Sequence, residues 1–267
     1  MATIRDIARQ LGISPGTVSK GLNGASDISA STRQAVLDAA VELGYRPKSM
    51  QGKTSGKICI LVENMHYENV DQFGYEIIAG FEQSAALKGC QVDIIPAGLS
   101  MQTGESYDTF MLKKKYLGAF LLGFELHDDY LRQLHDTKFP TVLLDNFIED
   151  NPRVGYVGTD NFEGMKHVVS HLAALGHREI AILCGSPDSL ITPRRFDAFK
   201  HFMWCSQLKW RDELIAYGDF HRDTAPEYVP RFLEHGATAI VCASDYIASG
   251  VIRALTAAGV RVPEDVS

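Results

Sequence analysis

Along the first 47 residues the apolar positions recur with helical spacing. Ile4, Ile7, Ala8 and Leu11 fall at i, i+3, i+4 and i+7, one face of a helix, with Thr3 before them as an N-cap and Gly12 after them as a stop. Two residues on, Ser14 can cap a second helix, with Pro15 at the first helical position, where its missing N–H costs nothing. Val18 and Leu22 give that helix a narrow inner face, and Asn23-Gly24 ends it. A third helix follows the cap Ser29, with Val36, Ala39, Ala40 and Leu43 inward and Gly44 as the C-terminal stop. Three short helices with a tight turn between the first two predict a helix-turn-helix unit.

After residue 57 the pattern changes to short apolar runs alternating with helical periodicity. "KICILV", "QVDIIPA", "LGAFLLG", "PTVLLDN", "EIAILCG", "ELIAYGDF" and "TAIVCASD" read as strands. "YEIIAGFEQSAALKG", "YDTFMLKKKY", "DDYLRQLHD", "PRRFDAFKHFMWC", "APEYVPRFLEHG" and "IASGVIRALTAAG" read as helices, and "GYVGTDNFEGMKHVVSHLAALGH" runs from a strand into a helix capped at Asp160. This is a parallel α/β architecture, and such sheets take ligands at the carboxyl ends of their strands. The chain is therefore expected to hold a DNA-binding head at 1–47, a linker at 48–57 and an α/β body at 58–267.

Charge sharpens that division. The chain has 26 Lys and Arg against 33 Asp and Glu. Residues 1–57 hold eight of the cations (Arg5, Arg9, Lys20, Arg33, Arg46, Lys48, Lys53, Lys57) and four of the acids (Asp6, Asp27, Asp38, Glu42), a balance of +4, which leaves −11 for the rest. A basic head on an acidic body points to a polyanion partner for the head alone. The second helix fits one. Its outward face begins with Pro15-Gly16, almost without side chain, continues through Thr17 and Ser19, and ends in the cation Lys20. Backbone can approach a surface closely there, and the ammonium can reach a guanine O6/N7 edge.

The ordered run "TIRDIARQLGISPGTVSKGLNG", followed by "STRQAV" and "GYRP", resembles the head of the lactose/galactose repressor family. The resemblance implies that the second helix enters the DNA major groove. It places Pro15, Gly16 and Lys20 at base-reading positions, with Ser14 and Thr17 on the same face. Thr3, Ser19, Asn23, Ser29 and Thr32 would bind phosphate oxygens and set the register; capping is the other reading of Ser14 and Ser29. A homodimer on a pseudo-palindromic operator duplex follows from the same likeness. The linker "RPKSMQGKTSGK" departs from the family pattern, in which a hinge helix wedges a Leu into the minor groove. It is about four residues shorter, Thr54 stands where the Leu would count, and Gly52 and Gly56 disfavour helix. Met50 is its only bulky apolar candidate, and Lys48, Lys53 and Lys57 are candidate phosphate contacts.

The body also resembles the family's effector domain, a two-lobed fold related to periplasmic sugar-binding proteins, with a cleft between the lobes. Family members continue several dozen residues beyond the point matching Ser267, so this body is expected to be incomplete. Carried over from the family, Asp145, Asp245, Arg195, Phe220 and Phe73 are candidate effector contacts. Carboxylates and a guanidinium can grip ligand hydroxyls, and aromatic faces can cover a sugar or a base. For Asp145 and Asp245 the other reading is a helix N-cap, and for the two Phe residues it is the core.

Other classes fit less well. No G-x-G-x-x-G, P-loop or G-x-S-x-G motif is present, so an enzyme is not expected. His167 and His171 are four apart, but no third ligand completes a metal site, and no cofactor is expected. The five cysteines are scattered without C-x-x-C spacing, which suits a reducing compartment. The N-terminus lacks an apolar signal core, and no stretch is long enough to span a membrane, which argues against a secreted solute-binding protein. The expected protein is a cytoplasmic, dimeric, ligand-responsive regulator, a repressor of carbohydrate use. A purine-responsive regulator of the same fold is the alternative.

Overall fold

The structure, a computed structural model, describes residues 2–50, 55–70 and 72–267. The head folds as three helices, α1 (Ile4–Leu11), α2 (Pro15–Leu22) and α3 (Ala30–Glu42). Each begins on a side-chain cap. Thr3 and Asp6 form a reciprocal capping box on α1. Ser14 Oγ accepts from the Thr17 N–H at 3.1 Å, and Ser29 Oγ from the Thr32 N–H at 3.0 Å. Ile7, Ala8, Val18, Val36, Ala39 and Ala40 make the buried centre. Gly21 lets α2 approach α3 closely, because a Cβ there would sit 3.0 Å from the Val36 side chain. Leu43, expected inward, is instead exposed at the end of α3, and Leu37 is buried. The reason lies outside the head: α3 packs not only on α1 and α2 but also on a helix of the body, so it buries a second stripe.

A single 3-10 turn over Lys48–Met50 follows. Met50 is 4% exposed and belongs to the same apolar cluster as the head and the first sheet. It is a plug, which corrects its reading as a groove wedge. Lys57 is also reassigned: its ammonium lies 2.6 Å from Asp93 and over the Tyr116 ring, so it braces the sheet. Those two partners' hydrogen bonds hold the Asp93 carboxyl below its ordinary value. Gly52, Lys53 and Thr54 lie outside the described residues.

The body contains β1 (Lys57–Val62), α4 (Phe73–Leu87), β2 (Gln91–Pro96), α5 (Leu99–Gly104), α6 (Tyr107–Lys114), β3 (Ala119–Leu122), α7 (Asp129–Gln133), β4 (Thr141–Leu144) and β5 (Val154–Val157). It continues with α8 (Asn161–Ala174), β6 (Ile180–Cys184), α9 (Ile191–Cys205), β7 (Ile215–Tyr217), α10 (Ala225–Glu234), β8 (Ala239–Cys242) and α11 (Asp245–Ala257). Both sheets are parallel, ordered β2-β1-β3-β4-β5 and β7-β6-β8. Contacts divide the chain into two compact units, Met1–Val157 and Gly158–Ser267, so the head groups with the first sheet.

The central strands β1, β3 and β6 are covered on both faces, which is why they read as unbroken apolar runs, whereas Val142 of β4 and Tyr156 and Val157 of the edge strand β5 are exposed. In the first sheet, Cys59, Leu61 and Leu121 face the cluster that contains Tyr107 and Met111 of α6. Their neighbours Ile60, Val62, Phe120 and Leu122 face Ile78 and Phe81 of α4, with the Phe81 and Phe120 rings stacked at 5.1 Å. Two polar groups enclosed there are paired: Tyr107 Oη and Thr141 Oγ1 share a 2.7 Å hydrogen bond. In the second unit, Ile180, Ile182 and Cys184 pack on Phe199 and Met203 of α9, and Ala181 and Leu183 on Val229, Phe232 and Ile247. The short helix α5, rich in Ser, Thr, Gln and Gly, has no expectation to match it. Among the described residues no helix is long and apolar enough to cross a membrane.

Candidate functional site

The head presents α2 with its outward face uncovered. Pro15 and Gly16 are exposed at its N-terminus. A Cβ on Gly16 would meet only Ser14 Oγ, at an ordinary 3.5 Å, so nothing inside the head requires glycine there. Ser14 is both cap and face: its Oγ also shares a 2.9 Å hydrogen bond with Thr17 Oγ1. One helical turn on, Lys20 is exposed, with its ammonium bonded to Asp27 in the loop before α3. That bond holds the Asp27 carboxyl below its ordinary value. Asp27 was not singled out by the sequence pattern, since loop carboxylates are common and its partner lies seven residues away. Asn23 caps the other end of α2 by donating from Nδ2 to the Ser19 carbonyl at 2.9 Å. Ser29 and Thr32 form a matching hydroxyl pair at the start of α3, 2.8 Å apart. Thr3 sits at the start of α1. Capping is thus observed at Thr3, Ser14 and Ser29. A hydroxyl used as a cap retains hydrogen-bonding capacity for a phosphate oxygen, so the two readings are compatible.

The second unit gathers Arg195, Phe220 and Asp245 at the carboxyl edge of β7-β6-β8. Arg195 lies in the second turn of α9, four residues beyond its start at Ile191, rather than opening the helix. Its Nε donates to Asn161 Oδ1 at 2.6 Å, at the first turn of α8, and its Nη1 to the Ala243 carbonyl just past β8. Asp245 is exposed at the first position of α11, and the N-cap there is Ser244, whose Oγ accepts from the Ile247 N–H. The capping reading of Asp245 is therefore corrected. Phe220 falls three residues beyond β7. Its ring presses on Gly185, directly after β6, where a Cβ would overlap it at 2.0 Å. Phe220 (φ +60) and Asp219 (φ +47) both hold left-handed backbone, a costly state for a bulky residue and one that concentrates at functional edges.

In the first unit Asp145 follows β4, also with left-handed backbone (φ +57), and its N–H bonds to the Val157 carbonyl at 2.9 Å. It starts no helix, so the capping reading fails there too. Phe73 opens α4 and is 62% exposed, which excludes the core reading. Sequence reasoning missed two neighbours on this edge. Glu63 directly follows β1, and burial, with Asp128 and Glu125 nearby, pushes its carboxyl up. Asn146 is buried, and its Nδ2 donates to the Phe124 carbonyl at 2.7 Å. The available signal for both was a polar residue closing an apolar strand.

Nucleophilic chemistry finds little to work with. Burial pushes the Cys184 and Cys242 thiols up to about 12, so neither ionises near neutral pH. His167 lies 3.6 Å from Glu163 on the surface of α8, and no group of three metal-ligating side chains occurs among the described residues.

A helix-turn-helix head with a bare reading helix, joined to parallel sheets with polar residues at their carboxyl edges, defines a ligand-controlled DNA-binding regulator. The comparisons with known proteins place it more closely. Residues 3–48 match the family described as bacterial regulatory proteins, lacI family, and residues 169–267 match a periplasmic binding protein-like domain. The HTH-type transcriptional repressor PurR of Haemophilus influenzae is 28% identical over 274 residues, covering 100% of this chain and 80% of that protein. The HTH-type transcriptional regulator CelR of Thermobifida fusca is 27% identical over 273 residues, 99% of this chain and 80% of that one. Among solved structures, a CelR–cellobiose complex matches with a TM-score of 0.68 at 25% identity, covering 100% of this chain and 81% of that one. A lac repressor dimer bound to operator and the anti-inducer ONPF matches at 0.65 and 26%, with the same coverage. The chain thus carries a LacI-family helix-turn-helix domain and a periplasmic-binding-protein-like domain, its relatives are LacI-family regulators, and these likenesses support a DNA-binding regulator controlled by a small-molecule effector.

Proposed function

We propose that this regulator is a cytoplasmic repressor that binds a pseudo-palindromic operator as a homodimer through residues 1–47 and answers to a carbohydrate through its body. The observation that carries the DNA half is the N-terminus of α2: Pro15 and Gly16 are exposed, with only Ser14 Oγ near a Cβ placed on Gly16, and Lys20 stands one turn further on the same helix. Backbone approaches base edges at Pro15 and Gly16, Pro15 adds apolar contact to a thymine methyl, and Lys20 exchanges Asp27 for a guanine. Thr3, Ser14, Thr17, Ser19, Asn23, Ser29 and Thr32 supply hydroxyl or amide groups to phosphates and set the register.

For the effector, Asp245, Arg195 and Phe220 combine an exposed carboxylate, a braced guanidinium and an aromatic face, the set that grips a polyol. Phe73 and Asp145 offer the same chemistry on the first sheet. The solved likeness that holds cellobiose favours a sugar. A thermal-shift screen of sugars, sugar phosphates and purines tests this. A sugar or sugar phosphate should raise the melting temperature and change operator affinity; stabilisation by purines alone would replace the carbohydrate reading.

Two substitutions separate fold from readout. Gly16→Ala should leave the melting temperature equal or higher, since alanine favours helix over glycine by up to about 1 kcal/mol, while operator affinity drops. Unchanged affinity would mean that nothing approaches that face closely. Lys20→Ala should lose roughly 1–3 kcal/mol of discrimination at one base pair per half-site, whereas Thr32→Ala should weaken every sequence alike. An intact base preference in Lys20→Ala would move readout to DNA shape.

A further inference from the structure

The body reaches the DNA-reading unit directly. Lys115 stands just past α6, with left-handed backbone (φ +61), and its N–H bonds to the Leu112 carbonyl, closing the helix. Its exposed side chain runs to the head, where Nζ donates to Asn23 Oδ1 at 3.2 Å. The head is seated on this face by more than that bond. α3 packs on α6, Met50 is buried in the shared cluster, and the Arg46 guanidinium lies 4.8 Å over the Phe139 ring while bonding to the Lys138 carbonyl. The two lysines before it are placed differently: Lys113 pairs with Glu105 at 2.9 Å, and Lys114 lies near Asp93. Of the three, Lys115 is the one directed at the end of α2.

We infer that Lys115 is a DNA contact supplied by the body, binding the same backbone phosphate that Asn23 approaches. An amide presents Oδ1 and Nδ2 side by side. Asn23 uses one Nδ2 hydrogen on the Ser19 carbonyl, which leaves the second to donate elsewhere, and the ammonium already rests on Oδ1 of the same amide. A phosphate oxygen taken by Nδ2 then lies within one swing of a flexible four-carbon stem carrying a full charge. Asn23 is neutral and releases no counterion; Lys115 would. The contact thus turns a positioning contact into an electrostatic one and ties the first sheet to the operator backbone. This inference rests on the proposed placement of Asn23 at a phosphate.

The test is the salt dependence of binding, measured by fluorescence anisotropy with the full chain on a mixed-sequence duplex and on an operator selected from a random library. Wild type must first show a steep fall of affinity with salt; a flat profile would overturn the DNA reading itself and this inference with it. With the steep profile in hand, Lys115→Gln should weaken binding severalfold on both duplexes, without altering base preference. It should also make the slope of log affinity against log salt shallower by about 0.9 per subunit, the contribution of one phosphate. Lys115→Arg should restore both. Lys113→Gln removes the same charge from a residue held by Glu105 and should leave the slope unchanged. Weaker binding with an unchanged slope would make Lys115 only a strut between head and body, tighter binding would make it a restraint on the head, and an equal effect of Lys113→Gln would reduce it to net charge. Each of these results overturns the inference.

Discussion

Operator affinity of the full chain is expected to fall by about a thousandfold or more between 50 and 200 mM salt. Arg5, Arg9 and Lys20 of the head and Lys48 of the linker are exposed, while Arg33 and Arg46 are half-buried. Three phosphates neutralised by each head would make six for a dimer, and each releases close to one counterion, which sets the slope. The body as a whole cannot substitute for the head, because residues 58–267 carry a surplus of eleven acids, so a contact such as Lys115 can only add to what the head binds. The local salt bridges do not cancel the effect either. Arg9–Asp6, at 3.5 Å, and Lys20–Asp27 are exposed pairs, worth little in water and screened by the same salt. Anisotropy titrations at several salt concentrations measure the slope. A loss smaller than tenfold over that range, or equal affinity for every duplex, would remove the head from the role proposed for it.

The head was legible almost residue by residue because its signals are local. A cap, a Pro at the first helical position, an apolar residue every third or fourth place and a closing Gly are read within one helix, and all three helices begin where these signals place them. The alternation of strands and helices in the body was legible for the same reason. What escaped depends on partners far along the chain. Leu43 and Leu37 exchanged roles because α3 meets α6, more than sixty residues away, and no periodicity within α3 encodes a second neighbour. Met50 became a plug and Lys57 a brace because Met50 joins the apolar cluster of the head and first sheet and Asp93 on the adjoining strand offers Lys57 a carboxylate. The candidate effector residues were read as positions after strands, and Asp145, Phe220 and Asp245 do follow β4, β7 and β8, whereas Arg195 lies in the second turn of α9. The finer chemistry was not read: Ser244 rather than Asp245 caps α11, Asp145 starts no helix, and Glu63 and Asn146 join the first edge unannounced. Which of two adjacent polar residues turns inward is decided by the loop's backbone, and the left-handed residues Asp145, Asp219 and Phe220 show how far that backbone departs from what side-chain type predicts.

Asp245→Ala is expected to disable the effector response while leaving the free protein's operator binding and melting temperature nearly unchanged. The carboxylate is exposed, and Ser244 does the capping, so the fold loses only a favourable charge at the first turn of α11, about 0.3–1 kcal/mol. A bound sugar loses more. Its hydroxyls would be left without their acceptor, at about 1–3 kcal/mol, which moves the half-maximal response to an effector concentration about five- to 150-fold higher. Arg195→Ala should do more damage of both kinds. Its guanidinium ties Asn161 at the start of α8 to the Ala243 carbonyl beyond β8, so removal strips the ligand of a charged donor and loosens two neighbours at once. A lowered melting temperature should accompany the lost response, and Arg195→Lys should recover little, because an ammonium cannot span both partners as a planar fork does. With both residues replaced, no response should be reached at any practical concentration. The measurement is titration of the sugar found in the thermal-shift screen against operator-bound protein, for wild type, each single variant and the double. An Asp245→Ala protein that still responds at the wild-type concentration would take that carboxylate out of the ligand site. If Asp245→Ala instead melts well below wild type without ligand, the residue serves the fold, and the carbohydrate reading would rest on Arg195 and Phe220 alone.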